Sequence, residues 1–309
     1  MRISVLGVGA LGSVVAASLA NTEHEVHLHV RGERGAHLMV EGLQIQGHGL
    51  EMVDAYRFLI TCEEFEVPEG FHEASDLVIL ACKSHALPHL VLIAKRFLRE
   101  DGCAFALTNG LGHTEALARS LGPQRVLAAT TTHGAFIHSS GRVEWAGKGE
   151  LNLASTPLGP VEMMLHRIQE VLTAGGLNPI VHSDASAMVW SKLLLNIAIN
   201  PIAALAGLQN GELLSPDVLS TCLMVYREAA QVASMERVSI PNEMEFETRL
   251  RQVLETTSDN TCSMLQDIKA GRRTEIDALN QAVANLGEEH GLRMPLNHLL
   301  AVLVQACHP

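Results

Sequence analysis

The sequence predicts an α/β N-terminal Rossmann-type dinucleotide-binding domain followed by an all-α C-terminal domain. Three observations predict it. A short N-terminal strand runs straight into Gly7-Val8-Gly9-Ala10-Leu11-Gly12, strand-like and helical patterns alternate up to about residue 183, and only helical patterns follow. At 309 residues the chain is long enough for two ordinary domains with separate cores. The predicted division is 1–183 for the NADP-binding domain and 184–309 for a helical substrate and catalytic domain.

Ile3-Ser4-Val5-Leu6 is a β-branched and apolar run, and Ser13 to Ala20 has a helical pattern. Between them the spacing GxGxxG assigns each glycine a task. Gly7 permits the tight turn, Gly9 lets a pyrophosphate approach the backbone, and Gly12 allows close helix–strand contact. The phosphate would lie at the N–H groups that open the helix. Arg2 and the apolar run also resemble a secretory signal, but the glycine spacing and the lack of paired cysteines argue against it.

The next strand, Glu25 to Val30, ends in Arg31 rather than in the acid that would bind a ribose 2′-hydroxyl. A guanidinium there suits a 2′-phosphate, which favours NADP(H) over NAD(H), with Arg34 as a helper. A solvated loop arginine is the alternative. Ser75 to Cys82 reads as a buried parallel strand whose C-terminal end carries Lys83, either a ligand contact in the sheet crevice or a surface lysine. Asp101 to Thr108 repeats the arrangement and empties into Asn109-Gly110, an ordinary turn step that can also offer an amide to nicotinamide or substrate. Residues 125–134 form a further strand, and 141–145 and 150–154 have the rhythm of an antiparallel extension. A helix over 160–174 ends at Gly175-Gly176, and 179–182 is the last strand-like piece.

Beyond Ser183-Asp184 the helical spans are 185–208, 215–235, 242–257 and 277–305 in outline. In the first of them Lys192, Asn196 and Asn200 fall four residues apart, a polar stripe on an otherwise apolar helix. Such a stripe faces a ligand, a wet cleft or a polar network, or else its lysine snorkels to solvent; periodicity alone does not choose. Residues 260–277 are dense in hydroxyl, amide and carboxylate groups, which fits a functional loop and equally a solvated connection with Thr274 as helix cap.

Composition narrows the partners. Hydrophobic residues at 47% and charged residues at 18% belong to a folded globular chain. A net charge of -12 argues against nucleic acid or an anionic membrane surface. Residues 193–208 are apolar but contain Asn196, Asn200 and Pro201, and they fall short of the roughly 20 residues of a membrane span. The six cysteines form no CxxC pair and read as reduced thiols of a cytoplasmic protein. The sixteen histidines show no metal-ligand spacing; His27 and His29 alternate on one strand, so no metal is expected.

Taken together, GVGALG at 7–12, Arg31, ACKSH at 81–85, TNGLG at 108–112, TTTHGA at 130–135, VWSKLLLNIAIN at 189–200 and SMLQDIKAGRRTEID at 263–277 resemble the ketopantoate reductases (2-dehydropantoate 2-reductases). The anchors span nearly the whole chain in family order. The resemblance implies NADPH-dependent reduction of ketopantoate to pantoate, a step toward pantothenate and coenzyme A. It implies Lys192 as general acid and Glu275 as the contact to a substrate hydroxyl, with Asn109, Asn196, Asn200 and Ser263 on the substrate. Gly7, Val8, Gly9, Ala10, Leu11, Gly12, Arg31, Lys83 and Asn109 would serve the cofactor. The context Ala81-Cys82-Lys83-Ser84 and Thr108 depart from the usual family pattern, which bears on cofactor-side detail. A 2-hydroxyacid dehydrogenase acting on another 2-keto acid is the competing enzyme reading, and an NADPH-binding sensor the non-enzyme one. The long apolar C-terminal helices fit a monomer or a homodimer.

Overall fold

Short β-branched and apolar runs bounded by turn residues become the strands of the main sheet, where most of their residues are buried. A computed structural model describes residues 1–138 and 140–307. Strand β1 (Arg2–Leu6) leads into helix α1 (Ala10–Ala20), β2 (Glu25–Val30), α2 (Gly32–Glu41), the short β3 (Ile45–Gln46) and β4 (Phe58–Cys62). Then come β5 (Ser75–Leu80), α3 (Leu87–Phe97), β6 (Leu98–Ala106), α4 (His113–Leu121), β7 (Leu127–Thr131) and β8 (Gly134–Ile137). The α/β part closes with β9 (Val143–Gly147), β10 (Leu151–Ser155), α5 (Glu162–Ala174) and β11 (Pro179–His182). The main sheet has the order β4-β2-β1-β5-β6, parallel throughout. The winding reverses between β1 and β5, the switch point at which open α/β sheets bind ligands.

One expectation about strands is corrected. Residues 141–145 and 150–154 do not extend one sheet. β9 joins β8 antiparallel and β3 parallel, whereas β10 joins β7 antiparallel and β11 parallel, in a separate sheet. Alternation along each strand is the same in either case, so periodicity carries no information about which partner is taken.

The helical part contains α6 (Ala185–Ala206), α7 (Pro216–Met235), α8 (Glu243–Thr256), α9 (Ser263–Lys269), α10 (Asn280–Glu289) and α11 (Pro295–Ala306). The single helix expected over 277–305 is two. Gly291 at φ 72° takes the left-handed position, Leu292 N–H donates to Gly287 O at 2.8 Å and Gly291 N–H to Glu288 O at 2.9 Å, and Pro295 then opens α11. α8 starts on a capping box in which Asn242 and Glu245 each bond the other's backbone N–H at 3.0 Å.

Helix α6, expected over 185–208, has 22 residues, and against the expectation that its apolar run falls short of a span, by length and composition alone it could cross a membrane. Most of its apolar window is instead buried inside the protein. Trp190, Leu193, Ile197 and Ala198 pack with Val225, Tyr226, Phe246 and Leu250 in one helical core. Each large apolar side chain buried in this way contributes about 1.5–3 kcal/mol.

The chain divides into two compact units, residues 1–108 with 112–185, and Asn109–Leu111 with 186–309. The turn after β6 is thus packed as part of the helical unit. Gly110 shows why: at φ 103° it lies so close to Ala278 that a Cβ would strike that residue's carbonyl, and Leu111 N–H donates to Ala278 O at 3.0 Å.

Candidate active site

In the α/β unit the loop between β1 and α1 sits over the ends of β1 and β5. Gly7, at φ 81°, places any Cβ 2.8 Å from the Ala81 carbonyl oxygen, and a Cβ on Gly12 would collide with Gly7 O. Gly9 has only Gly7 O within 4 Å of such an atom, at 4.0 Å, so that side of the loop is open. Two glycines are therefore required by the chain itself, and the middle one leaves room for a group that approaches the backbone. The first turn of α1, with Ala10, Leu11 and Gly12, has no side-chain cap and no acidic residue. Its N–H groups and dipole suit an anion. These residues fit the pyrophosphate of a dinucleotide.

Arg31 is exposed at the position preceding α2, and beside it Gly32 N–H donates to the Glu64 carboxylate at 2.6 Å. Arg34 is turned to another task than a 2′-phosphate contact. Its Nε donates to Val8 O at 3.0 Å, with further bonds to Ser13 Oγ at 3.2 Å and Gly141 O at 3.3 Å, so it braces the glycine loop from behind. Its burial lowers its pKa. Lys83 precedes a short 3₁₀ turn (Ser84–Ala86) that follows β5, and it is half-buried.

In the helical unit three residues named from the sequence meet. Lys192 Nζ donates to Asn109 Oδ1 at 2.7 Å, and Asn109 Nδ2 donates to Glu275 Oε2 at 2.8 Å. The amide thus separates an ammonium from a carboxylate, and its orientation follows from serving both. Glu275 is 5% exposed and Lys192 is half-buried. Burial drives the Lys192 pKa down to about 8, against the pull of the Glu275 charge, which raises it. Asn196 is half-buried and Asn200 buried on the same helix. Cys262 caps α9, accepting from Leu265 N–H at 3.4 Å and donating to Asn200 O at 3.6 Å, which sets Ser263, exposed, as the first residue of α9. Sequence reasoning missed Cys262 because a buried thiol has no distinctive spacing as a cap.

No group of three or more His, Cys, Asp or Glu suited to a metal occurs among the described residues. His27 and His29 are buried in hydrogen bonds: Ser4 Oγ lies 2.6 Å from His27 Nδ1, and Thr61 Oγ1 lies 2.8 Å from His27 Nε2 and 2.9 Å from His29 Nδ1.

A parallel sheet with a glycine loop at its switch point, and a helical unit that sets a lysine against an amide and a buried carboxylate, define a dinucleotide-dependent oxidoreductase. The family profiles described as Ketopantoate reductase PanE/ApbA and its C-terminal domain match residues 3–157 and 184–308. The chain is 33% identical to the 2-dehydropantoate 2-reductase of Pyrococcus horikoshii, over 99% of this chain and 97% of the relative. It is 31% identical to that of Archaeoglobus fulgidus, over 98% and 97%. Among solved structures it is similar to D-mandelate dehydrogenase with NADH and anilino(oxo)acetate, with a TM-score of 0.90 at 26% identity over 99% of this chain and 98% of that one. The PanE/ApbA family ketopantoate reductase of Ralstonia eutropha JMP134 superposes with a TM-score of 0.86, also at 26% identity and the same coverage. The chain belongs to the ketopantoate reductase family.

Proposed function

We propose that the protein reduces 2-dehydropantoate to pantoate with NADPH, as a soluble cytoplasmic enzyme whose partner is this small 2-keto acid. The observation that carries the reading is the Lys192–Asn109–Glu275 chain, in a family whose relatives bear that enzyme's name. Gly7 to Gly12 would hold the pyrophosphate, Arg31 the 2′-phosphate, and Lys83 and Asn109 would stand near the nicotinamide end. When bound, NADPH supplies a hydride to the 2-keto carbon.

Lys192 meets the charge that develops on the carbonyl oxygen and gives it a proton. A general acid works best when its pKa is near the working pH, and burial has brought this lysine into that range. Asn109 holds the Lys192 ammonium by its oxygen, and Glu275 fixes the amide from the other side. Glu275 also accepts a hydrogen bond from a substrate hydroxyl, which penalises a keto acid lacking it because the buried carboxylate would lose that partner. Asn196, Asn200 and Ser263 supply further donors and acceptors for the substrate.

The similarity to D-mandelate dehydrogenase supports a second reading, reduction of another 2-keto acid by the same residues. Oxidation of NADPH against a panel of 2-keto acids with and without a 4-hydroxyl separates the two. Ketopantoate should be preferred, and Lys192→Ala should lower turnover by about 10²–10⁴-fold with the fold kept. Equal rates for keto acids lacking the hydroxyl would sink the pantoate assignment, and normal turnover in Lys192→Ala would remove the lysine from the acid role.

A further inference from the structure

Pro201 lies inside α6 and has no N–H, so the carbonyl four residues earlier, that of Ile197, loses its helical donor. Ile197 is 0% exposed, which denies it water as a substitute. The missing bond comes from another helix. Asn280, itself fully buried, donates Nδ2–H to Ile197 O at 3.1 Å and to Asn297 Oδ1 at 3.0 Å. Asn297 in turn donates Nδ2–H to Glu228 Oε2 at 2.9 Å, and the Glu228 carboxylate accepts Leu296 N–H at 2.9 Å and Asn297 N–H at 3.0 Å at the start of α11. The Asn280 amide oxygen has no partner. A side chain kept for packing alone would do better as leucine, since an unpaired buried oxygen costs about 1–3 kcal/mol.

The place of this bond matters. Ile197 is five residues beyond Lys192 on α6, and Asn280 is five residues beyond Glu275, as the first residue of α10. We propose that Asn280 is a positioning residue for catalysis: its amide replaces the hydrogen bond that Pro201 removes and ties the helix of Lys192 to the segment of Glu275. The inference rests on the reading of Lys192 and Glu275 as active-site residues. Without the tie, α6 can shift relative to Glu275, and a displacement of about 1 Å is enough to cost catalysis up to about 10²-fold.

The test uses the coupling between the two positions. Alanine at 201 restores an N–H that can bond Ile197 O within α6 but does not restore the link to α10, so it separates satisfaction of the carbonyl from the tie between the two elements. Wild type, Asn280→Ala, Pro201→Ala and the double variant are compared for kcat and for the KM of NADPH and ketopantoate. Asn280→Ala should lower kcat about tenfold or more with the KM for NADPH unchanged, since the glycine loop belongs to the other unit. Pro201→Ala should stay within about threefold of wild type, and the double variant within about threefold of Asn280→Ala. A double variant restored to within about threefold of Pro201→Ala overturns the proposal, because the bond inside α6 would then suffice, as does an Asn280→Ala that loses only thermal stability. If Asn280→Ala does not fold, a double variant that folds but stays about tenfold or more slower than Pro201→Ala supports the proposal, and one that is as active as Pro201→Ala or unfolded overturns it. Failure of the active-site reading shows separately, as a wild type inert toward ketopantoate or a Lys192→Ala with normal turnover, and it removes the positioning role as well.

Discussion

A lysine ammonium withdrawn from water is costly to charge, and at Lys192 that cost becomes a working property. With a pKa lowered to about 8, the group is a proton donor below that pH and loses its proton as pH rises through it. The kcat of the wild type should therefore be level below about pH 7 and fall above about pH 8, read from a pH–rate profile. A limb near the ordinary lysine value, about 10.4, would place Lys192 in water and deny the shift. Arg31 gives the second expectation at this scale. Replacing it by alanine should raise the KM for NADPH by tenfold or more, about 1.4 kcal/mol, with that for NADH little changed. The neighbouring Glu64 carboxylate, on Gly32 N–H, opposes a 2′-phosphate there, so the preference depends on the guanidinium.

Among elements, β2 shows how a strand can bury polar residues without a ligand. His27 and His29 alternate with Val26, Leu28 and Val30, yet every one of the five is buried, because β1 and β4 flank the strand and helices cover the sheet. Burial holds the His27 pKa down at about 3, with the charges of His29 and Arg2 acting the same way. Between that value and the ordinary 6.5 the unfolded chain binds a proton that the folded chain does not. Stability should thus fall as pH drops from 6.5 toward 3, by up to about 1.4 kcal/mol per pH unit from this residue. Urea midpoints measured across that window should decline more steeply in wild type than in His27→Asn; parallel curves would remove His27 as the cause. Helix α6 makes a different compromise. It carries a proline and two asparagines in its second half and remains one helix, because Asn280 and Cys262 supply hydrogen bonds from other elements.

For the whole molecule, each unit has its own apolar core, and the cofactor loop belongs to one of them. A ligand that binds only the folded chain stabilises it by mass action, about 2.7 kcal/mol at a hundredfold excess over Kd. NADPH at that excess should raise Tm by several degrees in wild type, and by much less in Arg31→Ala, measured by calorimetry. No rise with NADPH would contradict a dinucleotide site in the glycine loop. Sequence alone determined the class of each half, since a GxGxxG between strand and helix and the change from period 2 to period 3.6 are local properties of the chain. It also named Lys192, Asn109 and Glu275 through their motifs. Strand partners were not legible: the two faces of β9 and β10 look alike in sequence, and only packing assigns them to different sheets. The same holds for the bond from Asn280 to Ile197 and for the meeting of Lys192 with Asn109, which join positions 83 residues apart in each case. A hydrogen bond between distant positions leaves no periodic signal, so tertiary structure alone decided which polar groups are paired and which lysine is driven toward neutrality.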